Sequence, residues 1–409
     1  MNKHRTAAWV TAVLCVSPAF AQREMVSFDP PGSVGVVPFS INNGGVVTGN
    51  YDDAIGQRHG FVRSAAGAIT SFDPPGSIYT YPSSINDAGA ITGYYWDGNF
   101  PYHGFVRDAL GGFVSFDPPS GFLYLSSLLI NAGGAVTGSY GSATEWHGFV
   151  RNAAGVITLF DPPGSINTGM SGINATGTIS GVFSTAPLTP GHGFVRDPAG
   201  AITVFDPPGS IGTYMSGINS AGAISGFYLD ASYHTHGYLR DAGGAFLLFD
   251  VPGSVSFETR GINTTGAIVG VYIDTAGNVR GFVRDPTGGF LSFDAPGNNP
   301  ISVAGINDAG SITGSYLKNN RAYGFVFAVT FHSTIQGIAS LLSGGEIDNK
   351  GIANSLTQQI EAAMNSAGLA RIAALNAFIN HVKAQSGKHI SVAGAQMLLD
   401  DAYALLAGS

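Results

Sequence analysis

The chain has 409 residues, of which 11% are charged, 44% are hydrophobic and 59 are glycine, and its formal net charge is −8. So little charge combined with so much hydrophobicity excludes a disordered chain. The negative balance argues against binding to duplex DNA, which needs clustered Lys and Arg. The sequence has neither a sustained heptad nor a Gly-X-Y period, which excludes a coiled coil and a collagen.

Residues 1–21 have the three parts of a secretory signal peptide. Lys3 and Arg5 give a basic start, residues 7–16 an apolar core, and the Ala-Phe-Ala ending at Ala21 a cleavage site. The apolar run is shorter than the about 20 residues that span a bilayer. We therefore expect cleavage after Ala21 and a secreted or periplasmic protein without a transmembrane segment. Cys15, the only cysteine, would leave with the signal peptide, so we expect no disulfide.

Three signatures recur in seven copies between residues 26 and 327, at steps of 43 to 45 residues. They are a Phe-Asp pair, an Ile-Asn pair and a glycine followed by an aromatic residue. The Phe-Asp pairs begin at Phe28, Phe72, Phe116, Phe160, Phe205, Phe249 and Phe293, and the Ile-Asn pairs at Ile41, Ile85, Ile130, Ile173, Ile218, Ile262 and Ile306. A fixed period of this length indicates a solenoid, a propeller or a tandem array.

Each copy predicts four short antiparallel strands separated by turns. In the second copy these are residues 83–86, 90–96, 103–107 and 112–117, which we label strands A to D. A four-stranded repeat of this length is typical of a propeller blade. The sequence therefore predicts an all-β seven-bladed β-propeller over residues 22–332, with strand A innermost.

The count of strands also predicts how the propeller closes. Copies one to six each own four strands, whereas copy seven lacks strand D, and a spare D-like strand, Met25 to Asp29, precedes copy one. We expect this N-terminal strand to complete blade seven. The alternative is a fourth strand formed by residues 328–331.

The periodic residues are interpreted as structural. His59, His103, His147, His192 and His236 recur at the start of strand C, and each is expected to bond the Asp of the Phe-Asp pair in its own blade. Arg280 and Tyr323 occupy this place in blades six and seven. Equivalent histidines would lie too far apart to share a metal, so neither a metal nor a cofactor is predicted. The repeated arginine that begins with Arg63 is expected to be solvated or to bridge blades.

The repeat units, of the form FDPPGS, GIN and HGFVRD, resemble the HAF repeats of bacterial extracellular proteins over about 300 residues. The resemblance implies export and a repeat fold, and it brings no defined activity and no catalytic residues.

Variation between copies points to a binding face. In a propeller the D–A and B–C connections share one face, and here they are longer, variable and aromatic, with Phe100 and Tyr102 among them. Variable loops on a rigid scaffold are where binding usually resides. The predicted ligand-binding residues are Tyr79, Tyr81, Trp96, Tyr124, Trp146, Tyr214 and Tyr233, together with the repeat-breaking charges Glu258 and Arg260.

Residues 333–409 predict a helical C-terminal module with helices over 335–343, 348–367, 369–385 and 391–407. An apolar stripe from Ile352 to Met364 in the second helix is interpreted as core. The run from ALNAFINHVK onward resembles the FIMAH module of bacterial exported proteins, which implies an accessory role.

These features together predict an exported, non-catalytic binding or surface-interaction scaffold. Its partner would be a glycan or a protein on a cell surface, and no nucleic acid is expected. The alternative is a polysaccharide-acting hydrolase or lyase that uses the same face, with Glu258 and Arg260 in its site.

Overall fold

The structure is a computed structural model that describes residues 25–117, 122–187, 189–286, 288–327, 331–366 and 368–407. The chain divides into a strand unit and a helical unit. The predicted signal peptide lies outside the described residues. The alternative fourth strand is predicted at 328–331. Residues 328–330 also lie outside the described residues, and Phe331 begins a helix.

The strands follow the four-strand pattern predicted for each copy, and we call each four-stranded unit a blade, numbered by its Ile-Asn pair. Blade one contains β2 (Ser33–Ile41), β3 (Val47–Asp53), β4 (Arg58–Arg63) and β5 (Ile69–Phe72); blade two contains β6 (Tyr79–Ile85), β7 (Ile91–Trp96), β8 (His103–Arg107) and β9 (Phe113–Phe116); blade three contains β10 (Tyr124–Ile130), β11 (Val136–Gly141), β12 (Trp146–Arg151) and β13 (Ile157–Phe160). Blade four contains β14 (Asn167–Ile173), β15 (Ile179–Ser184), β16 (His192–Arg196) and β17 (Ile202–Phe205); blade five contains β18 (Gly212–Ile218), β19 (Ile224–Leu229), β20 (Thr235–Arg240) and β21 (Phe246–Phe249). Blade six contains β22 (Ser254–Ile262), β23 (Ile268–Asp274), β24 (Val279–Arg284) and β25 (Phe290–Phe293); blade seven contains β26 (Ile301–Ile306), β27 (Ile312–Lys318) and β28 (Arg321–Phe327), and β1 (Met25–Phe28) precedes them all.

Hydrogen bonds join the strands of each blade in the order A, B, C, D, with antiparallel neighbours. Blades one and two share one eight-stranded sheet, and blades three and four share another. Each pair is joined by one parallel bridge, Arg58 with Tyr79 and Trp146 with Asn167. Strand β1 pairs antiparallel with β28, so it takes the outer place beside β26–β28.

The core of each blade centres on the aromatic residue of strand C. These side chains are at most 2% exposed: Phe61, Phe105, Phe149, Phe194, Tyr238, Phe282 and Phe325. Burying each one stabilises the fold by about 1.5–3 kcal/mol. The strand B glycine beside this ring leaves no room for a side chain, since a Cβ on Gly93 would lie 2.2 Å from the Tyr81 carbonyl oxygen. A bulge between Pro82 and Ser84 interrupts the register of the inner strand beside Gly93.

The asparagines of the Ile-Asn pairs form the predicted A–B turns and also link the blades. The Oδ1 atom of Asn42 accepts the backbone N–H of Val46 at 2.9 Å, and its copies do the same. Each Nδ2 donates to the main-chain carbonyl of the asparagine in the following copy, at 2.9–3.5 Å. In this series Asn307 donates to the carbonyl oxygen of Asn42. All seven asparagines are buried.

The repeated arginines lie between blades. The guanidinium carbon of Arg63 is 5.1 Å from the ring centre of Phe28, and five further arginines cover the Phe-Asp phenylalanine of the preceding copy at 4.6–5.2 Å. Burial lowers the pKa of Arg63. Such cation–π contacts contribute about 0.5–2 kcal/mol each. Of the two interpretations left open by the sequence, the structure therefore supports bridging.

The helical unit contains α1 (Phe331–Ser343), α2 (Lys350–Met364), α3 (Gly368–Gln385) and α4 (Val392–Ala407). Its core includes Leu356, Ile360, Phe378 and Val382, all fully buried. Asn349 caps α2 by accepting the N–H groups of Gly351 and Ile352. The predicted stripe is only partly correct: Met364 is 42% exposed, while Ala353 and Ala363 are buried. An α-helix has 3.6 residues per turn, so residues spaced four apart move gradually around the helix, and the last of them leaves the buried face.

Candidate functional site

Strands A and B of every blade pair two residues at one equivalent register, which we call the paired position. It varies greatly from blade to blade, whereas the pair at the end of the same strands is always Ile with Ile or Val. In order from blade one to blade seven the paired positions are Val37–Asn50, Tyr81–Tyr94, Ser126–Ser139, Gly169–Val182, Tyr214–Phe227, Glu258–Val271 and Ser302–Ser315. The paired position is therefore a level at which the blades differ while their Ile-Asn ends stay constant.

In blade two the paired position holds two stacked tyrosines. The rings of Tyr81 and Tyr94 are 4.8 Å apart and inclined by 16°, and Tyr102 packs edge-on against both. Arg58 reaches over Tyr81, with its guanidinium carbon 5.2 Å from the ring centre, while it donates two hydrogen bonds to Asp52. Burial raises the pKa of Tyr94 to about 12, and the hydrogen bond to Asp52 raises the pKa of Arg58. Tyr94 thus keeps a neutral hydroxyl and Arg58 stays a cation at any physiological pH.

Further rings extend this pair toward blade three. Tyr79 stacks on Trp96 at 5.5 Å, and Tyr124 lies 5.8 Å from Tyr102 and 6.3 Å from Trp146. Phe100 is 54% exposed and packs against Tyr102 and Tyr124. We call this set the aromatic patch: Tyr79, Tyr81, Tyr94, Trp96, Phe100, Tyr102, Tyr124 and Trp146. Seven of its rings are half-buried, so each packs on a neighbour and still keeps accessible surface.

A cavity of about 290 Å³ lies between blades three and four, where the paired positions carry small residues. Its wall includes the side chains of Ser126, Ser139 and Ser184 and the ring of Trp146. We call it the serine cavity. Ser139 Oγ donates to the Thr168 carbonyl at 2.9 Å, and Asn167 Nδ2 donates to Ser184 Oγ at 3.4 Å. The wall therefore combines a few hydroxyl and amide groups with apolar surface from Trp146, Val182 and Phe183.

A second pocket of about 330 Å³ lies around the paired position of blade five. Tyr214 stacks on Phe227 at 4.8 Å with an angle of 7°, and Tyr214 is 39% exposed. Arg260 donates to the carboxylate of Glu258 at the other wall. We call it the Tyr214 pocket. It brings together three residues that the sequence singled out.

The nine residues predicted from the sequence thus fall into three places. Five lie in the aromatic patch and three in the Tyr214 pocket. The six aromatic residues among these eight lie on strands, so the prediction that they belong to loops is wrong. Tyr233 lies apart: it is 75% exposed, sits at φ 63° in the turn after Asp230, and takes part in none of the ring contacts between described residues. Sequence reasoning missed Tyr94, Phe227 and Arg58. Their signal was the two-residue period of strand B combined with its register against strand A, which places Tyr94 opposite Tyr81.

The histidine prediction is confirmed, and the loop carboxylates have a partner. The Nδ1 atom of each repeated histidine lies 2.5–2.8 Å from the Asp of its Phe-Asp pair. In four blades Nε2 faces a B–C loop carboxylate at 3.4–4.0 Å. Arg280 lies likewise between Asp274 and Asp294. Among the described residues, no group of three or more His, Cys, Asp or Glu is placed to hold a metal ion.

The donor expected in blade seven is wrong. Arg321, not Tyr323, donates to the Asp29 carboxylate. Tyr323 stacks instead on Tyr316 at 5.6 Å, beneath the Arg321 guanidinium. The longer guanidinium reaches the carboxylate from two residues earlier on β28, which leaves the tyrosine free to pack.

A further cavity, of about 210 Å³, lies where the Ile-Asn pairs end strand A, and it is lined by these pairs and the residue after each. Its two distinctive carboxylates are used within the chain. Asp87 accepts the N–H and the side-chain amide of Asn43, and Asp308 accepts from Asn43 and from the N–H of Thr264. This cavity therefore belongs to the contacts that hold blades together.

No protein-family model and no curated protein matches the chain. Similar solved structures include a catalytically inactive virginiamycin B lyase from Staphylococcus aureus with quinupristin (12% identity, TM-score 0.53, covering 75% of this chain and 99% of that one). Others are the β-propeller domain of the trilobed protease from Pyrococcus furiosus (13%, TM-score 0.52, 72% and 95%) and an oligogalacturonate lyase in complex with manganese (10%, TM-score 0.51, 76% and 99%).

These likenesses show the fold: the strand unit is a β-propeller, followed by a small helical part. Because the same fold serves a lyase and a domain of a protease, it does not decide between binding and catalysis. No helix in the described part of the chain is long and apolar enough to cross a membrane.

Proposed function

We propose that this protein is an exported, non-catalytic scaffold whose propeller binds a carbohydrate through the aromatic patch. The observation that carries the proposal is the run of rings from Tyr81 to Trp146, which contact one another in series and keep accessible faces. They occupy positions where the blades differ, so the scaffold does not require them.

Carbohydrate suits this surface because sugar rings have apolar C–H faces and polar edges. An aromatic ring offers a flat apolar surface, and the tyrosine hydroxyl gives it a polar rim. The Arg58 guanidinium, held by Asp52, adds fixed donors beside Tyr81. A peptide could use the same rings through its apolar side chains, and it is the competing ligand in the experiments below.

The scaffold is proposed to be a closed seven-bladed ring. The pairing of β1 with β28 supports this, as does the hydrogen bond from Asn307 to Asn42, the same contact that links the other copies. A Cβ on Gly324 would lie 2.5 Å from the Phe28 ring, and Gly60 meets the Phe72 ring in the same way. Phe28 thus packs as its counterparts do in the other blades.

Export to the periplasm or the cell exterior is part of the proposal. It is supported by the signal-peptide pattern of residues 1–21 and by the resemblance to HAF repeats and, in the helical unit, to the FIMAH module. The helical unit is proposed as an accessory module.

The enzymatic alternative would use the Tyr214 pocket. Among the described residues that line it, Glu258 is the one carboxylate, and Arg260 binds it. Glycoside hydrolysis needs two carboxyl groups about 5–9.5 Å apart. The pocket therefore favours binding over hydrolysis.

The test is a glycan array probed with the mature chain, residues 22–409, followed by titration calorimetry on each glycan that binds. We expect Tyr81→Ala and Tyr124→Ala to weaken binding at least tenfold. Tyr233→Ala is the matched control, since it removes an exposed tyrosine outside the patch, and it should leave the Kd unchanged.

Products are followed by chromatography in the same samples. Binding without new reducing ends or unsaturated products supports the scaffold. Turnover that Glu258→Ala abolishes would instead establish the enzyme. If no glycan binds, or if Tyr233→Ala weakens binding as much as Tyr81→Ala, the patch is not the binding site.

A further inference from the structure

We propose that the aromatic patch, the serine cavity and the Tyr214 pocket form one continuous groove that binds a linear, neutral polysaccharide along its length. This inference rests on the proposed carbohydrate binding and extends it from one patch to five consecutive blades.

Shared side chains establish the continuity. Trp146 contacts Tyr124 at one end of the aromatic patch and also lines the serine cavity. Val182 lines both the serine cavity and the Tyr214 pocket. The three sites therefore adjoin in chain order, from the aromatic patch of blades two and three to the Glu258–Arg260 pair of blade six.

The paired positions explain why the middle of the groove is open. Blades two and five carry stacked aromatic pairs of the same geometry, Tyr81–Tyr94 and Tyr214–Phe227, both at 4.8 Å. The two blades between them carry Ser126–Ser139 and Gly169–Val182 at this register. Small residues between two ring platforms leave a hollow whose ends are flat and apolar.

The lining selects the class of ligand. The half-buried Ser184 hydroxyl in the serine cavity accepts from Asn167 and can still donate its own O–H, so it suits a ligand rich in hydroxyls. At both ends the cation is already paired with a carboxylate, Arg58 with Asp52 and Arg260 with Glu258. No unbalanced positive charge remains in these pairs to attract a polyanion, so a neutral chain fits better than a polyuronate.

A groove of this length also predicts that a polymer binds better than a single sugar. A short oligosaccharide contacts one platform, whereas a longer one reaches both, and the second contact then acts at a high effective concentration. Affinity should rise with chain length until both aromatic pairs are covered.

The experiment measures Kd by calorimetry for neutral cello-, malto-, xylo-, manno- and chito-oligosaccharides, from disaccharide to octasaccharide. Oligogalacturonate and a proline-rich peptide are the competing ligands. For the series that binds, we expect the octasaccharide to bind at least tenfold more tightly than the trisaccharide. Tyr214→Ala removes the second aromatic platform. It should weaken octasaccharide binding at least tenfold and leave trisaccharide binding at the aromatic patch unchanged. Tyr233→Ala again serves as the control.

A blocking variant tests the middle of the groove. The Cβ of a side chain at Gly169 would meet Val182 at 3.6 Å, an ordinary contact, so Gly169→Phe is expected to fold and to fill the hollow. It should remove the gain with chain length while short oligosaccharides still bind, and its Tm verifies folding.

The outcomes separate this inference from the proposed function. If binding at the aromatic patch does not depend on oligosaccharide length, the groove is overturned and the patch proposal stands. The same holds if Tyr214→Ala and Gly169→Phe leave octasaccharide binding unchanged. Tighter binding of oligogalacturonate, or of a proline-rich peptide, overturns the ligand class. No binding by any neutral series at any length overturns both proposals.

Discussion

The propeller contains two kinds of position that lie on the same strands and behave in opposite ways. At the ends of strands A and B the Ile-Asn pairs repeat in all seven copies, and their amides join each copy to the next. A few residues earlier, the paired position changes from two tyrosines in blade two to Gly169 and Val182 in blade four. The constant residues make contacts between blades, while the variable residues line the cavities or carry the exposed aromatic rings.

In a repeat protein, function is expected at the positions that differ between copies. A contact that every blade needs must be copied, whereas a ligand touches the blades unequally. Predictions that separate the two kinds of position are therefore informative, and the constant positions should carry the larger effects on stability.

The largest effect concerns Phe28, the constant aromatic residue of β1. It is 8% exposed and packs on Phe61 and under Arg63, and Phe72 is equally buried beneath Arg107. We expect Phe28→Ala and Phe72→Ala each to lower the free energy of unfolding by about 3–5 kcal/mol in chemical denaturation. A Phe28→Ala protein as stable as the wild type, beside a destabilised Phe72→Ala, would show that β1 does not complete blade seven.

The next effect concerns the asparagine series. Asn86→Ala leaves the Ala90 N–H without its acceptor and removes one of the two donors to the Asn131 carbonyl, and we expect a loss of about 1–3 kcal/mol in the free energy of unfolding. Asp87→Ala, one residue away and exposed, should cost less than about 1 kcal/mol. Equal losses in the two variants would contradict a special role for the buried amide.

At the variable position the order of effects should reverse. Tyr81→Ser introduces the residue that blades three and seven carry at this register, Ser126 and Ser302. Because Tyr81 is only half-buried, its stability loss should stay below the about 3–5 kcal/mol expected for Phe28→Ala, while glycan affinity falls at least tenfold. Thermal unfolding and calorimetry measure the two quantities. A large drop in Tm without any change in Kd would make Tyr81 a scaffold residue.

The smallest effect is a dependence on pH. Burial alone would lower the pKa of His59 and His236, but hydrogen bonds and charge from Asp73 and Asp250, with Asp53 and Asp230, raise it above its ordinary value. A raised pKa stabilises the fold fully below about pH 6.5 and loses this contribution as the pH rises through the folded-state pKa. The lowered pKa values of Asp53, Asp230 and Asp274 contribute in the opposite direction, since that stability is lost under strongly acidic conditions.

Tm should therefore be higher at about pH 5.5 than at about pH 8, with the fall beginning near pH 6.5. Arg280 already replaces the histidine in blade six, so a His59→Arg and His236→Arg double variant should flatten the profile without unfolding the protein. A wild-type Tm that does not change over this interval would exclude the histidines as its source.

Most of the scaffold could be predicted because it repeats. Seven copies average out local ambiguity, so the strand pattern, the asparagine turns and the contact of His59 with Asp73 all followed from the spacing of the signatures. The Tyr323 prediction was wrong for the same reason: it extended the pattern to the one blade whose outer strand comes from the other end of the chain. There Arg321 reaches Asp29 by a route that the other copies do not use.

The candidate site could be predicted only in part, because it depends on register between strands. The prediction grouped Tyr79, Tyr81 and Trp96 by connection, although they lie on β6 and β7. It also included Tyr233, which takes part in none of the ring contacts between described residues. Tyr94 and Phe227 looked like ordinary strand residues until their partners across the ladder were known. A single sequence does not contain that pairing explicitly.

Six of the seven Phe-Asp rings lie beneath a guanidinium that belongs to the following copy, while Phe293 stacks on Phe327. An excised 44-residue repeat would therefore keep an arginine without its ring at one end and a ring without its arginine at the other. No copy is a self-sufficient folding unit. Unfolding should accordingly be cooperative over many blades, and proteases would release few stable fragments. New termini created by circular permutation should be tolerated best in the exposed C–D turns, where a cut separates no ring from its arginine.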